Sequence, residues 1–188
     1  MADSAFLVRH GATEWSVSGR HTSTTDLPLL PEGEDVARGL PARLAGPSYS
    51  LVLTSPLKRA RRTAELAGFP DAEITDDLLE WGYGDYEGRT TAQIREEVPG
   101  WTVWTHPCPG GESAADVATR CDRVVERIRA AEAAGPVLLF AHGHVLRALA
   151  ARWLGQPVAG GRSYRLDTAT VSTLGRERET PVLVRWNA

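Results

Sequence analysis

The chain has 188 residues, a formal net charge of -3 and 42% hydrophobic residues, which suits a single domain over 1–188 with a substantial core. That charge excludes a general nucleic-acid binder, so any anion site has to be a local cluster of cations. Cys108 and Cys121 form no CxxC pair or disulfide framework, and neither a signal peptide nor an apolar run of ~20 residues is present, so a cytoplasmic protein without membrane partners is expected.

Ala5 to Val8 is a short apolar run that reads as the first strand. Arg9 to about Leu30 is a long loop with little periodicity, and loops of that length are usually functional or disordered. Trp15, Arg20, His21 and Thr22 give this one a poor composition for disorder. Pro31 suits a first helical turn, and Glu32 to Leu44 continues as helix, kinked or split at Pro41. Leu51 to Leu53 is a second strand. Ser55-Pro56 reads as N-cap plus first helical residue, with Leu57, Ala60, Ala64 and Ala67 at helical spacing. Arg59 falls in the first turn, where a cation opposes the helix dipole unless it faces an anion. Arg61 and Arg62 read as a solvated face.

Ile74 to Leu79 reads as a third short strand, and Thr90 to Val98 as a short helix stopped before Pro99. Trp101 to Pro109 reads either as a cap over a site or as an apolar patch closing the core. Ser113 and Asp116 have capping-box spacing ahead of a helix with Val117, Cys121, Val124, Val125 and Ile128 on one face. Pro136 to Ala141 is a buried strand. His144 to Leu154 is a helix burying Val145, Leu146, Leu149 and Trp153. Val171 to Leu174 and Val182 to Trp186 are closing strands. Strands alternating with helices predict an α/β three-layer sandwich: a mostly parallel central sheet with helices on both faces.

Two of these strands end in the same way. Phe6-Leu7-Val8 stops at Arg9-His10-Gly11, and Val137 to Ala141 stops at His142-Gly143-His144. Ligands of α/β sheets sit at the carboxyl ends of strands, so adjacency of these two would bring two imidazoles face to face. Gly11 and Gly143 would let backbone approach a ligand closely. A phosphoryl group needs a nucleophile, cations for its oxygens and an acid for the leaving oxygen. His10 is the candidate nucleophile, held neutral by Arg9 and Arg59. Arg9, Arg59 and His142 would bind phosphate oxygens, with the Gly143 N–H as a further donor. A metal reading of His142 and His144 lacks further ligands at suitable spacing, and arginines beside His10 would repel a cation, so neither metal nor cofactor is expected.

Arg9-His10-Gly11-Ala12-Thr13-Glu14 resembles the signature of the histidine phosphatase superfamily, also called phosphoglycerate mutase-like. Ser55-Pro56-Leu57-Lys58-Arg59-Ala60 with Thr63-Ala64 resembles its second arginine motif. The stretch from Glu80 through Trp81, Tyr83, Asp85 and Glu87 to Gly88 resembles its acid motif, and Pro109 to Ser113 and His142 to His144 complete an ordered set. The resemblance makes Glu80 the acid, with Asp85, Glu87 and Glu14 as rivals. Gly19 to Leu29 resembles the family's substrate loop, which adds Ser16, Arg20, His21, Thr22, Ser23 and Tyr83 to the expected substrate contacts. Ser16 and Ser23 stand where the family commonly has Asn and Gly.

The implied activity is hydrolysis of a small phosphorylated metabolite, a sugar phosphate or bisphosphate, through a phosphohistidine. The acid motif and substrate loop especially resemble sedoheptulose-bisphosphatase-like and actinobacterial acid-phosphatase-like members. A phosphoglycerate mutase is the alternative, but the 61 residues between Glu80 and His142 are few for its larger cap. A binding module without turnover is a second alternative, opposed by the complete set Arg9, His10, Arg59, Glu80 and His142. Nothing in the sequence sets an oligomeric state.

Overall fold

In the computed structural model, which describes residues 2–188, the apolar runs pair into one six-stranded sheet. Its strands are β1 (Ala2–Arg9), β2 (Leu51–Thr54), β3 (Glu73–Ile74), β4 (Val137–Ala141), β5 (Val171–Glu177) and β6 (Thr180–Arg185). The spatial order is β3-β2-β4-β1-β5-β6. The first four are parallel, and β5 and β6 extend the sheet antiparallel beyond β1. The α/β three-layer architecture expected from the alternation is therefore the one observed.

Side chains alternate across a strand, and here the alternation divides the core. Ala5 and Leu7 of β1, with Val137, Leu139 and Ala141 of β4, face one apolar cluster. Phe6 and Val8, with Leu138 and Phe140, face the other. α6 (Ala114–Ala131) and α7 (Gly143–Trp153) cover the first face, the former presenting Val117, Cys121, Val124, Val125 and Ile128 and the latter Val145, Leu146, Leu149 and Trp153. Ser113 and Asp116 cap α6 reciprocally, each accepting the other's backbone N–H. The second face takes α2 (Pro31–Arg38), α3 (Leu40–Leu44) and α4 (Lys58–Leu66) through Ala37, Leu40, Leu44 and Ala64. The predicted break near Pro41 falls at Gly39, between α2 and α3.

Several expected boundaries are corrected. Ser55-Pro56 does not open α4: the N-cap is Leu57, and the Ser55 hydroxyl accepts from His142 as well as from the Leu57 N–H. The strand expected over Ile74 to Leu79 ends at Ile74, where Thr75 starts a 3-10 turn over Asp76–Leu78. The long loop contains α1 (Glu14–Ser18), capped reciprocally by Thr13 and Ser16. α5 (Thr91–Glu97) is capped in the same way by Thr90 and Gln93. α7 begins one residue early, at Gly143, and a 3-10 segment at Val158–Ser163 follows it.

Candidate active site

β1 and β4 are neighbours, with Arg9 paired to Ala141, and the ladder continues when His10 N–H donates to the Ala141 carbonyl at 2.9 Å. The two strand ends therefore deliver His10 and His142 side by side, ring centroids 5.1 Å apart and planes inclined by 59°. His10 Nδ1 is 2.7 Å from the Gly11 carbonyl. A carbonyl only accepts, so Nδ1 carries the proton and Nε2 keeps the lone pair. Burial, then the charges of Arg9 and Arg59, hold His10 well below the ordinary imidazole range, so it is neutral.

Arg9 Nη1 donates to the Leu166 carbonyl at 2.6 Å. Its Nε is buried and has no acceptor among the described residues. An unpaired buried donor is costly, and one beside a neutral imidazole is a place for an anion's oxygen. Gly143 makes this placement possible, since a Cβ there would lie 3.3 Å from Arg9 Nε and 3.4 Å from Cζ. Gly11 has a different function from the one expected. A Cβ on it would meet the Gly33 carbonyl oxygen at 2.6 Å, so it serves the close approach of the catalytic loop to α2 rather than to a ligand.

Among the described residues, Glu80 is the only carboxylate lining the cleft, about 160 Å³ in volume, that holds Arg9 and His10. Its Oε1 accepts N–H from Trp81 and Val145, and its Oε2 accepts from His144 alone. It thus supplies the acceptors that α7 lacks at its first turn, where His142 gives no side-chain cap. The rival carboxylates lie elsewhere. Glu14 and Asp85 are exposed, and Glu87 accepts from Ser23 and Thr25.

Arg59 and His142 are brought together but lie beneath the cleft rather than on its lining. Arg59 Nε donates to His142 Nδ1 at 3.1 Å, which obliges His142 Nε2 to carry a proton and give it to Ser55 Oγ at 2.7 Å. The remaining Arg59 contacts go to the carbonyls of Thr22, Ser23 and Thr25, so this cation holds the loop. His142 is kept neutral by burial and by Arg59.

Of the other expected contacts, Arg20, His21, Thr22, Tyr83 and Gly143 line the cleft. Ser16 does so too, but its hydroxyl is spent on the cap with Thr13. Ser23 does not line it: it turns onto Glu87, donating from Oγ at 2.5 Å. Sequence reasoning weighed His144 only as a metal ligand and passed over Arg147; both also line the cleft. Their i, i+3 spacing on one helix was an available signal. Tyr83 Oη and His144 Nδ1 are hydrogen-bonded at 2.6 Å. Trp101 packs edge-on against His21, and Trp104 against His144, so the segment from Trp101 both walls the site and closes the core.

The acid motif rests on an ion pair between the buried Arg120 and the partly accessible Glu112. Arg120 donates to both Glu112 oxygens and to the carbonyls of Asp77, Leu79 and Glu80. Among the described residues no group of three or more His, Cys, Asp or Glu side chains is placed to hold a metal, and no helix is long and apolar enough to cross a membrane.

The model of the histidine phosphatase superfamily (branch 1) matches residues 5–188. An acid phosphatase of Mycobacterium tuberculosis is 43% identical over 174 residues, covering 91% of this chain and 85% of its own. A sedoheptulose 1,7-bisphosphatase of Saccharomyces cerevisiae is 37% identical over 183 residues, covering 79% of this chain and 66% of its own. The solved structure of a Mycobacterium tuberculosis open reading frame superposes with a TM-score of 0.95 at 40% identity, covering 97% of this chain and 96% of its own.

Proposed function

The chain belongs to the histidine phosphatase superfamily, and from that premise we propose that it is a metal-independent phosphomonoesterase acting on a small sugar phosphate. The observation that carries the residue assignments is the unpartnered, buried Nε of Arg9 next to the neutral His10. A donor without an acceptor beside a free imidazole lone pair suits one guest in particular, a tetrahedral oxyanion.

The chemistry follows from the geometry. His10 Nε2 attacks phosphorus, the P–N bond forms and the bond to the ester oxygen breaks. Glu80 gives its proton to that oxygen, from Oε2, which has a single N–H partner and room to carry it. Water then attacks the phosphohistidine, Glu80 takes a proton from it, and phosphate leaves. At an effective dielectric of ~20, one charge pair at 4 Å is worth about 4 kcal/mol before desolvation, so Arg9 is a strong anchor in a protein of net charge -3. Arg59 adds its field and keeps the substrate loop in place. His142 holds Arg59 and Ser55 in register beneath His10, and a direct contact with phosphate would require Ser55 to release its Nε2–H.

The chain is read as one domain serving this single site, in a cytoplasmic setting where phosphorylated metabolites reside. The test uses leaving-group chemistry. A sugar alkoxide leaves badly without a proton and a nitrophenolate leaves unaided. General acid help is ~100 to 10,000-fold. Glu80→Gln should therefore slow phosphoenzyme formation from a sugar phosphate far more than from nitrophenyl phosphate in rapid-mixing measurements. The ratio is the readout, because a carboxamide at this position sets an NH2 against a backbone N–H and disturbs both reactions alike. Equal losses on the two substrates would remove Glu80 as the acid.

A further inference from the structure

The loop that carries Arg20, His21 and Thr22 into the cleft is strung, just beyond them, between two opposite charges. Arg59 takes the carbonyls of Thr22, Ser23 and Thr25. Glu87 takes the amides. Ser23 N–H donates to both of its oxygens at 2.9 Å, and Thr25 N–H donates to Oε1 at 3.0 Å. Ser23 Oγ adds a donation to Oε2 at 2.5 Å. Among the described residues the Glu87 carboxylate makes no other hydrogen bond, so all of it is committed to this loop. A third hold comes from Asp26, whose Oδ1 accepts the Lys58 N–H at 2.8 Å at the start of α4.

Backbone pairing explains how Glu87 reaches the loop. His21 N–H donates to the Arg89 carbonyl at 2.9 Å, Gly88 N–H donates to the His21 carbonyl at 2.8 Å, and Arg20 bridges to Thr90. Gly88 has a φ of +76°, and a Cβ on it would lie 2.9 Å from the Trp15 ring. Glycine therefore lets the turn after Glu87 close against α1. Neither Glu87 nor Ser23 lines the cleft, so neither touches a bound substrate. Both still bear on the site, because Arg59 is also the donor to His142 Nδ1, and His142 stacks beside His10. Arg59 is buried. A slack loop would take away its carbonyl acceptors, and a buried guanidinium cannot stay in place without them.

Resting on the phosphatase reading of the cleft, we infer that Glu87 is a positioning residue for phosphoryl transfer. Glu87 and Arg59 form a clamp of opposite charges that meet through the loop backbone and not through each other. The clamp holds the loop preformed before substrate arrives. It sets Arg20, His21 and Thr22 on the cleft wall and keeps Arg59 against His142. Ser23 supplies the clamp's one side-chain hydroxyl. An acid serves the leaving group, whereas a positioning residue serves every substrate alike, and this difference separates Glu87 from Glu80.

The test compares Glu87→Ala, which removes both acceptors, with Glu87→Gln, which keeps one and offers Ser23 Oγ a donor in place of the other. In Glu87→Ala, kcat/KM should fall about 10- to 100-fold, as for a misplaced site. The fall should be equal on a sugar phosphate and on nitrophenyl phosphate, and Glu87→Gln should recover much of it. Orthovanadate, titrated by calorimetry, should bind correspondingly more weakly to Glu87→Ala. Amide exchange followed by NMR should show Ser23 and Thr25 deprotected while Leu139 and Phe140 of β4 keep their protection, which reports an intact core. Ser23→Ala keeps every backbone contact and should give a smaller loss of the same kind. If Glu87→Ala does not fold, Glu87→Gln and Ser23→Ala carry the test, and full activity in both would overturn the inference. So would unaltered kinetics in a folded Glu87→Ala, or a loss confined to the sugar phosphate. A wild-type protein that turns over neither substrate, yet loses vanadate affinity on Glu87→Ala, would overturn the hydrolytic reading alone and support the clamp.

Discussion

Taking the protein from pH 7 to pH 5.5 should cost it about 5 kcal/mol of stability, through four histidines that are neutral in the fold and titrate once it opens. His10, His142 and His144 are held well below the ordinary imidazole range and His21 down to about 4, burial being the largest cause for each. The hydrogen bonds give an independent reason for His142: protonating Nδ1 would set an N–H against the Arg59 Nε–H that it accepts. Because the folded proton affinities are lowered, the stabilisation is complete above the unfolded value of ~6.5. It is lost as the pH falls below that value toward the folded ones. At ~1.4 kcal/mol per proton and pH unit, each histidine contributes about 1.2 kcal/mol over this window, and four together approach the whole stability of a typical domain, ~5–15 kcal/mol. Urea titrations followed by circular dichroism across the window would measure the slope. Calorimetric unfolding near pH 5.5 in buffers of different ionisation enthalpy would count the protons, with three to four expected. A flat stability profile, or uptake of less than one proton, would refute the neutral-histidine reasoning.

Gly143→Ala should leave the fold intact, since Ala is a better helix former than Gly. Its Cβ at 3.3 Å from Arg9 Nε should displace the guanidinium and lower kcat/KM about tenfold on every substrate, a shift of about 1.4 kcal/mol. Steady-state kinetics beside a melting curve separates the two effects, and unaltered kinetics would show that Arg9 tolerates the methyl. Arg120→Met should destabilise the protein, because it strands Glu112 and frees three carbonyls of the acid motif. The cost should sit near the lower end of the ~3–5 kcal/mol typical of a broken buried pair, since Glu112 is partly accessible. By loosening Glu80 it should also impair sugar phosphate turnover more than nitrophenyl phosphate turnover; equal effects would mean the pair serves the fold alone.

What could be read in the sequence was whatever has a local period or a fixed place in a motif. The unbroken apolar run from Val137 to Ala141, the apolar stripe from Val117 to Ile128 and the paired His10 and His142 at neighbouring strand ends are of this kind. The contacts that decide the site's working are not. Arg59 spends most of its donors on the carbonyls of Thr22, Ser23 and Thr25, and a backbone carbonyl has no signature in a sequence. Glu80 was identified as a carboxylate but not as the partner of the His144 and Val145 amides, a role set by how a loop meets α7. Ser55 has the local grammar of an N-cap, yet its hydroxyl is claimed by His142 from 87 residues away. Glu80→Gln, which looks isosteric on paper, is not so here because both carboxylate oxygens already accept N–H.

In the proposed reaction His10 attacks through Nε2 while Nδ1 stays bound to the Gly11 carbonyl. This is tested by quenching the enzyme during turnover of a phosphorus-labelled sugar phosphate and identifying the modified atom by mass spectrometry and phosphorus NMR. An acid-labile phosphoryl group is expected on Nε2 of His10, absent from His10→Ala protein of native circular dichroism. A phosphoryl group on Nδ1 or on another residue, or turnover by His10→Ala at an undiminished rate, would contradict it.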